Sequence, residues 1–171
     1  MSAFGIILPI KEGVLCHGGI RKPDSKTSSK TISLLEWPSL SGETTAITPK
    51  VSQFGPQTGL SYHAGCLING GNILLLVGGW DGKRRTNKVY ALDLIQRCWL
   101  PMKELLEKSG TDTPSGLTSH TVTPINDNKH GELFVSSFAL YHTFRNSHCL
   151  PKETYSSFHY VIDALHTFVY K

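Results

Sequence analysis

The strongest constraint on the fold is a pair of adjacent glycines that recurs within a matching apolar context. The first pair, Gly18 and Gly19, ends an apolar stretch in the segment Val14–Ile20 (VLCHGGI). The second pair, Gly78 and Gly79, stands in the same place in the segment Leu74–Trp80 (LLLVGGW). A glycine pair lets the chain leave a strand with positive φ. Recurrence of the whole context indicates a fold assembled from similar units.

A second recurring element precedes the second unit and the start of a third. Leu60–His63 (LSYH) matches Leu117–His120 (LTSH), and the two histidines are separated by nearly the same interval as the two glycine pairs. Gly78 lies 15 residues after His63. The residue at the same distance after His120 is Val135, and two serines follow it where a glycine pair would be expected. The sequence therefore predicts a third unit that begins and then loses its pattern.

Within each unit the local pattern favours antiparallel β-structure. Ile73–Val77 is a continuous apolar run stopped by glycines, which is typical of a buried strand. Val89–Leu92 carries β-forming residues, and Arg97–Leu100 ends at a proline that blocks further ladder pairing. Short strands separated by turn signals predict an all-β meander. Met102–Lys108 is predicted to form a turn of helix between units.

Composition excludes several classes of protein. The chain has 171 residues, 39% of them hydrophobic, with a net charge of +4, which favours a single folded domain. No apolar run approaches the ~18 residues of a membrane-spanning helix. The first residues lack a basic segment and a cleavage site, so we expect an intracellular protein, in the cytoplasm or nucleus. Four dispersed cysteines are expected to stay thiols.

The residues around the second glycine pair resemble a kelch repeat. Leu75–Gly82, Asn87–Asp93 and Trp99–Pro101 supply an apolar strand, Gly-Gly, Tyr, Asp and Trp in order. The signature positions are Gly18, Gly19, Gly78, Gly79, Tyr90, Asp93 and Trp99. The resemblance implies an incomplete kelch-type β-propeller of about two to three four-stranded antiparallel blades. It also implies a non-enzymatic scaffold for protein–protein interaction that needs no cofactor.

The resemblance covers roughly residues 4–133. We place the first repeat at about 4–55, the second at about 60–110 and the start of a third at 115–133. Residues 134–171 form a divergent tail without glycine, whose segment Tyr155–Tyr170 is either an amphipathic helix or a β pair. An alternative or truncated C-terminus is one explanation. Because three blades cannot close a ring, open blade edges are expected to self-associate or to be covered by a protein partner.

Metal binding and catalysis receive little support from the sequence. His63 and Cys66 form an H-x-x-C, but no second half-site completes a zinc set. Cys98 lies beside Trp99 in a predicted strand, where a free cysteine acts as a small hydrophobe. We therefore predict no metal, no cofactor and no enzymatic activity.

One loop carries the candidate interface. Trp80 either packs over its own turn, which is the favoured interpretation, or lies exposed beside Arg84 and Arg85 as an interaction hot spot. The basic run Lys83–Arg85 also allows a weak nucleic-acid-associated protein, although no aromatic platform or nucleic-acid motif accompanies it. A truncated isoform with little independent function is a further alternative. No membrane partner is predicted.

Overall fold

The computed structural model of the chain describes residues 4–20, 27–37, 44–50, 53–102, 116–125, 132–141 and 154–163, the last two ranges as backbone. These residues form three antiparallel sheets and, among them, no helix. Blade 1 comprises β1 (Ile6–Ile10), β2 (Gly13–His17), β3 (Ile32–Glu36) and β4 (Thr45–Ile47), and blade 2 comprises β5 (Ala64–Ile68), β6 (Ile73–Val77), β7 (Val89–Asp93) and β8 (Cys98–Leu100). The third sheet contains β9 (His120–Ile125), β10 (Glu132–Tyr141) and β11 (Thr154–Asp163), in the order β11-β10-β9.

The two blades are built on the same register. Ile6 pairs with His17 at one end of blade 1, and Ala64 pairs with Val77 at the equivalent end of blade 2. A glycine pair follows the second strand of each blade, and all four of these glycines have positive φ, from 63° to 101°. Two four-stranded antiparallel sheets confirm the prediction of incomplete kelch-type β-propeller blades.

Blade 2 lies in the middle of the core and is buried on both faces. Its second strand, Ile73–Val77, is buried at every residue. Leu74 and Leu76 pack with blade 1, whereas Leu75 and Val77 pack with Leu117 and the first strand of the third sheet. A strand covered on both sides carries apolar residues without alternation, which explains the continuous apolar run in the sequence.

Among the described residues, blade 1 is covered on one face only. Ile6, Leu15 and Ile32 are buried toward blade 2. The opposite face, here called the free face of blade 1, presents side chains that are exposed or half-buried: Ile7, Pro9, Val14, Cys16 and Leu35. None of these five residues belongs to a buried cluster of the described chain.

The third sheet departs from the repeat where the sequence loses its glycines. β10 runs for ten residues through Ser136 and Ser137, and it pairs with β11 along its whole length. Without a glycine pair the strand continues past the point at which β2 and β6 end. Thr154–Asp163 is a strand paired with β10, which is the second of the two alternatives for the tail, and residues 164–170 of the predicted segment lie outside the described residues. The division of the chain at residue 133 stays a prediction.

Three sequence predictions fall on other parts of the chain. The helical turn predicted at Met102–Lys108 lies, beyond Met102, outside the described residues. Cys16, Cys66 and Cys98 are free thiols, and Cys149 is not among the described residues. Over the described ranges, no helix has the length and apolar character needed to cross a membrane.

Candidate binding pocket beside the glycine pairs

The loop after the second glycine pair is closed by its own aspartate. One Asp81 carboxylate oxygen accepts the backbone N–H groups of Lys83 and Arg84, both at 2.8 Å, and the Asp81 N–H donates to the Arg84 carbonyl. Burial raises the pKa of Asp81. The two N–H groups and the charges of Arg84 and Lys83 lower the pKa by more than burial raises it, so the pKa lies below its usual value. One oxygen of the carboxylate is therefore bound within the turn, and the side chains of Lys83 and Arg84 are exposed.

Backbone hydrogen bonds fasten this loop to the neighbouring repeats. Trp80 and Ser61 exchange two N–H···O bonds, at 2.7 and 3.1 Å, and the Gly79 N–H donates to the Leu117 carbonyl at 2.7 Å. Close approach explains why a glycine occupies position 79, where a Cβ would lie 2.7 Å from that of His63. Residues from three separate sequence regions are thereby brought to one place.

A non-glycine residue with positive φ precedes the first strand of each unit. Phe4, Tyr62 and Ser119 have φ of 62°, 55° and 55°. The Tyr62 N–H donates to the Phe4 carbonyl, and the Ser119 N–H donates to the Tyr62 carbonyl, at 2.9 and 3.0 Å. A positive φ is uncommon for residues other than glycine. Its recurrence at equivalent positions indicates that the backbone before the first strand needs this conformation. The Tyr62 ring stacks on the Phe4 ring with centroids 4.4 Å apart.

These elements enclose an open cavity of about 570 Å³, here called the Trp80 pocket. It is lined by Ile20, Tyr62, Trp80, Gly82, Arg85, Thr118 and Ser119. The volume falls within the range of small-ligand and peptide side-chain sites, about 300–1,000 Å³. Trp80 is half-buried on the wall, and Arg85 is its exposed bridge partner across the loop.

Three histidines lie next to the residues of the pocket but are themselves buried. His17, His63 and His120 are 2%, 6% and 7% exposed. His17 Nδ1 and His63 Nε2 share a hydrogen bond at 3.0 Å, with the rings edge-to-face. His120 Nε2 lies 3.0 Å from the Val77 carbonyl, and because a carbonyl only accepts, this nitrogen carries the proton. Each ring keeps a second buried nitrogen without a partner among the described residues.

Burial keeps this histidine cluster neutral. Desolvation lowers the pKa of His17 to about 4, and desolvation together with His17 and His120 lowers the pKa of His63 to about 3. Desolvation also lowers the pKa of His120, although the hydrogen bond to Val77 raises it in part. At neutral pH the cluster therefore adds no positive charge to the pocket.

The described histidines and cysteines do not converge on a metal site. The His63 ring meets His17, whereas Cys66 lies in the core between blade 2 and the third sheet, where burial raises the pKa of its thiol to about 12. Within the described parts of the chain, no group of three or more His, Cys, Asp or Glu residues is arranged to hold a metal ion. Cys98 is half-buried, with its sulfur 3.7 Å from Gln96 Oε1.

The signature aromatic residues lie in the core and not at the pocket. The Tyr90 and Trp99 rings meet edge-to-face at 6.3 Å within the cluster between blades 1 and 2. Asp93 accepts the N–H groups of Ile95 and Gln96 in the β7–β8 turn, at 2.9 and 2.8 Å. These positions hold the blade together.

The structure divides the candidate interface predicted from the sequence. Trp80 and Arg85 line one pocket, whereas Arg84 lies outside its lining. Sequence reasoning did not predict the other lining residues, which complete the wall: Ile20, Tyr62, Gly82, Thr118 and Ser119. Tyr62 and Ser119 share a detectable signal, since each immediately precedes the recurring histidine.

Comparison with known proteins identifies the class of repeat. The profile of the Kelch motif family matches residues 62–106, a range that contains blade 2, and this match confirms the predicted kelch repeat. Kelch repeats generally serve as protein-interaction modules and are generally non-enzymatic.

Among individual proteins, the chain is similar to Kelch domain-containing protein 9. It is 43% identical to the Mus musculus protein over 76 residues, which are 44% of this chain and 20% of that protein. It is 40% identical to the Homo sapiens protein over 67 residues, which are 39% of this chain and 18% of that protein. The matched region spans about a fifth of the length of these curated relatives.

Proposed function

We propose that this chain acts as a non-enzymatic protein-interaction module that binds a partner through the Trp80 pocket, with Trp80, Arg84 and Arg85 at the interface. The observation that carries the proposal is the placement of a tryptophan and an arginine on one open cavity of about 570 Å³. Trp and Arg are the residue types most enriched among interface hot spots. The repeat signature residues serve as the scaffold that holds these loops.

The rigidity of the pocket supports a binding role. The backbone of Trp80 is fixed by two hydrogen bonds to Ser61, which is fully buried. The Tyr62 ring is held against the Phe4 ring. A preformed wall loses less conformational entropy when a partner binds, so more of the contact energy appears as affinity.

We propose no catalytic role for the Trp80 pocket. Acyl and phosphoryl transfer need a nucleophile within hydrogen-bond reach of a base. Ser119 supplies a hydroxyl, but the ring of its neighbour His120 is hydrogen-bonded to the Val77 carbonyl. The His17 and His63 rings bond to each other.

We also propose that the chain self-associates through the free face of blade 1, with a second copy of the chain as the occupant. Val14 and Leu35 hold the register positions that Leu74 and Leu92 hold in blade 2. In blade 2 those two leucines are fully buried against blade 1. An equivalent apolar face that no described residue covers gives the same driving force for burial between molecules.

We further propose that the protein is located in the cytoplasm or nucleus.

A weak nucleic-acid-associated role is the alternative function, supported by the exposed run Lys83–Arg85. It is separated from protein binding by a salt titration, because counterion release makes phosphate binding fall steeply with salt.

The proposal is tested by affinity purification of the full chain from cells, with quantitative mass spectrometry of the bound proteins. Three variants are compared with the wild type: Trp80→Ala, Arg85→Glu and the control Lys88→Glu, which alters an exposed cation outside the pocket lining. We expect proteins that bind wild type and the control but are lost with both pocket variants. Proteins retained equally by all four chains would overturn the assignment of the pocket, and an absence of specific partners would overturn the module itself.

A further inference from the structure

Each unit of the repeat has two different faces. The face that packs on the next unit is here called the forward face, and the opposite one is called the backward face. Leu15 of blade 1 and Leu75 of blade 2 hold equivalent positions on the forward faces, and both are fully buried. Leu15 packs with blade 2, and Leu75 packs with Val122 of the third sheet. The free face of blade 1 is therefore a backward face that meets no forward face among the described residues.

The third sheet keeps the register of the repeat although it lacks the glycine pair. Tyr160 and Asp163 of β11 hold the ladder positions that Tyr90 and Asp93 hold in β7, so both strands carry Tyr-x-x-Asp. Val122 lies on the backward face of the third sheet, and it packs against the cluster of blade 2. The other side of the third sheet is therefore a forward face, equivalent to the forward faces of the two blades.

The forward face of the third sheet carries an exposed residue where blade 2 carries a buried one. Thr123 of β9 is exposed, whereas Cys66, at the equivalent position of blade 2, is 5% exposed. Phe134 of β10 and Val161 of β11 follow Thr123 in one row across this face. Phe134 has the register position of Leu75, which is fully buried in blade 2. The row therefore has the positions of a contact with a following unit.

A hydrogen bond between neighbouring units recurs along the inner ends of the sheets. The Tyr62 N–H donates to the Phe4 carbonyl, and the Ser119 N–H donates to the Tyr62 carbonyl. This series leaves the Phe4 N–H at one end and the Ser119 carbonyl at the other. A first unit placed after the third sheet would continue the series, with its Phe4 N–H donating to the Ser119 carbonyl.

The number of sheets determines how many copies of the chain can close a ring. Propellers close with about 4–8 blades, and the described residues form three sheets. Two copies joined head to tail supply six sheets, whereas three copies would supply nine. A contact between unlike faces gives a closed ring when its rotation brings the last unit back to the first.

From these features we propose that two copies of this chain close one six-bladed ring. The free face of blade 1 of each copy packs on the forward face of the third sheet of the other copy, and a twofold axis relates the two contacts. Each contact buries Val14 and Leu35 as the contact between blades 1 and 2 buries Leu74 and Leu92. This inference rests on the proposed self-association and specifies the surface that the free face meets.

The inference is tested by sedimentation equilibrium of the full chain over a range of concentrations. We expect monomer and dimer with no larger species, because closure leaves no further free face. Leu35→Glu on the free face and Thr123→Lys on the forward face of the third sheet should each raise the dimer dissociation constant at least about tenfold, since each variant dimer buries an unpaired charge at both contacts. Thr121→Lys is a second variant of the same forward face, and Ile95→Glu, on an exposed turn, is the control expected to change nothing.

An equimolar mixture of two variants distinguishes the ring from other dimers. In a ring that contains one Leu35→Glu chain and one Thr123→Lys chain, one of the two contacts joins two unaltered faces. We therefore expect the two variants, labelled with different fluorophores, to associate with each other at least about tenfold more tightly than either associates with itself. Recovery of the dimer in the mixture also shows that both variant chains fold.

The contrary results separate the ring from self-association in general. A dimer that Leu35→Glu weakens but both variants of the third sheet leave unchanged, or a mixture that recovers no dimer from chains with wild-type circular dichroism spectra, would overturn the ring and leave association through the free face standing. Species that grow beyond the dimer with concentration would show open stacks and overturn closure. A chain that is monomeric at every concentration, or a dimer that no variant weakens, would overturn both proposals.

Discussion

Acidification is expected to destabilise the fold through the buried pair His17–His63. Both rings are neutral when folded because burial lowers the pKa of His17 to about 4 and that of His63 to about 3. In the unfolded chain both would titrate near 6.5. Between these values the unfolded state binds protons that the folded state does not, so the free energy of unfolding falls as the pH is lowered below about 6.5.

The size of the effect follows from the two pKa differences. At pH 5 an unfolded histidine with a pKa near 6.5 is protonated, whereas neither buried ring is, which costs about 2 kcal/mol for each histidine. Together the pair would remove about 4 kcal/mol between pH 7.5 and pH 5, a large part of the 5–15 kcal/mol typical of a small domain. Above pH 7 both histidines are neutral in the folded and in the unfolded chain, so none of this free energy of unfolding is lost.

The measurement is urea unfolding followed by far-ultraviolet circular dichroism at pH 7.5, 6.5, 5.5 and 5.0. The double variant His17→Gln, His63→Gln removes both titrating rings, and we expect it to lose most of the difference between pH 7.5 and pH 5. The chain contains other histidines, so the difference between wild type and variant is the decisive quantity. A wild-type stability that is flat from pH 7.5 to 5, or a pH slope unchanged in the variant, would refute the reasoning.

The remaining predictions concern the backbone, the core and the free face. Gly79→Ala should lower the free energy of unfolding by at least about 2 kcal/mol, since its φ is 101° and a Cβ would lie 2.8 Å from the Ser61 carbonyl. Gly70→Ala, with a φ of 64° and open space, should cost only about 1 kcal/mol in the same urea titration. Leu75→Ala should cost about 2–5 kcal/mol, because this side chain is fully buried between blade 2 and the third sheet. Leu35→Glu should lower self-association in sedimentation velocity, whereas Ile95→Glu, on an exposed turn, should not.

Each of these predictions has a contrary result. Equal losses for the two glycine variants would show that the close approach at position 79 adds nothing to the cost of positive φ. A Leu75→Ala variant as stable as wild type would contradict a packed interface at blade 2. If Leu35→Glu and Ile95→Glu behave alike, the free face of blade 1 is not the surface that associates.

The strands of blade 2 could be predicted from local sequence because their signals are local. The run Ile73–Val77 and the glycines that stop it define a buried strand and its exit without reference to any distant residue. Asp93 likewise binds N–H groups only two and three residues away. The outcome in residues 155–163 could not be chosen in advance, because a strand there depends on its partner β10 and not on its own pattern.

The sequence by itself determined the repeat and the positions where strands must end. Only the tertiary structure decided which loops meet at the Trp80 pocket, because its walls come from Ile20, Tyr62 and Ser119, which lie in three separate segments of the sequence. It likewise paired His17 with His63 across two repeats. Local patterns fix backbone shape within a unit, whereas contacts between units depend on how the sheets stack, and that follows from burial of whole faces.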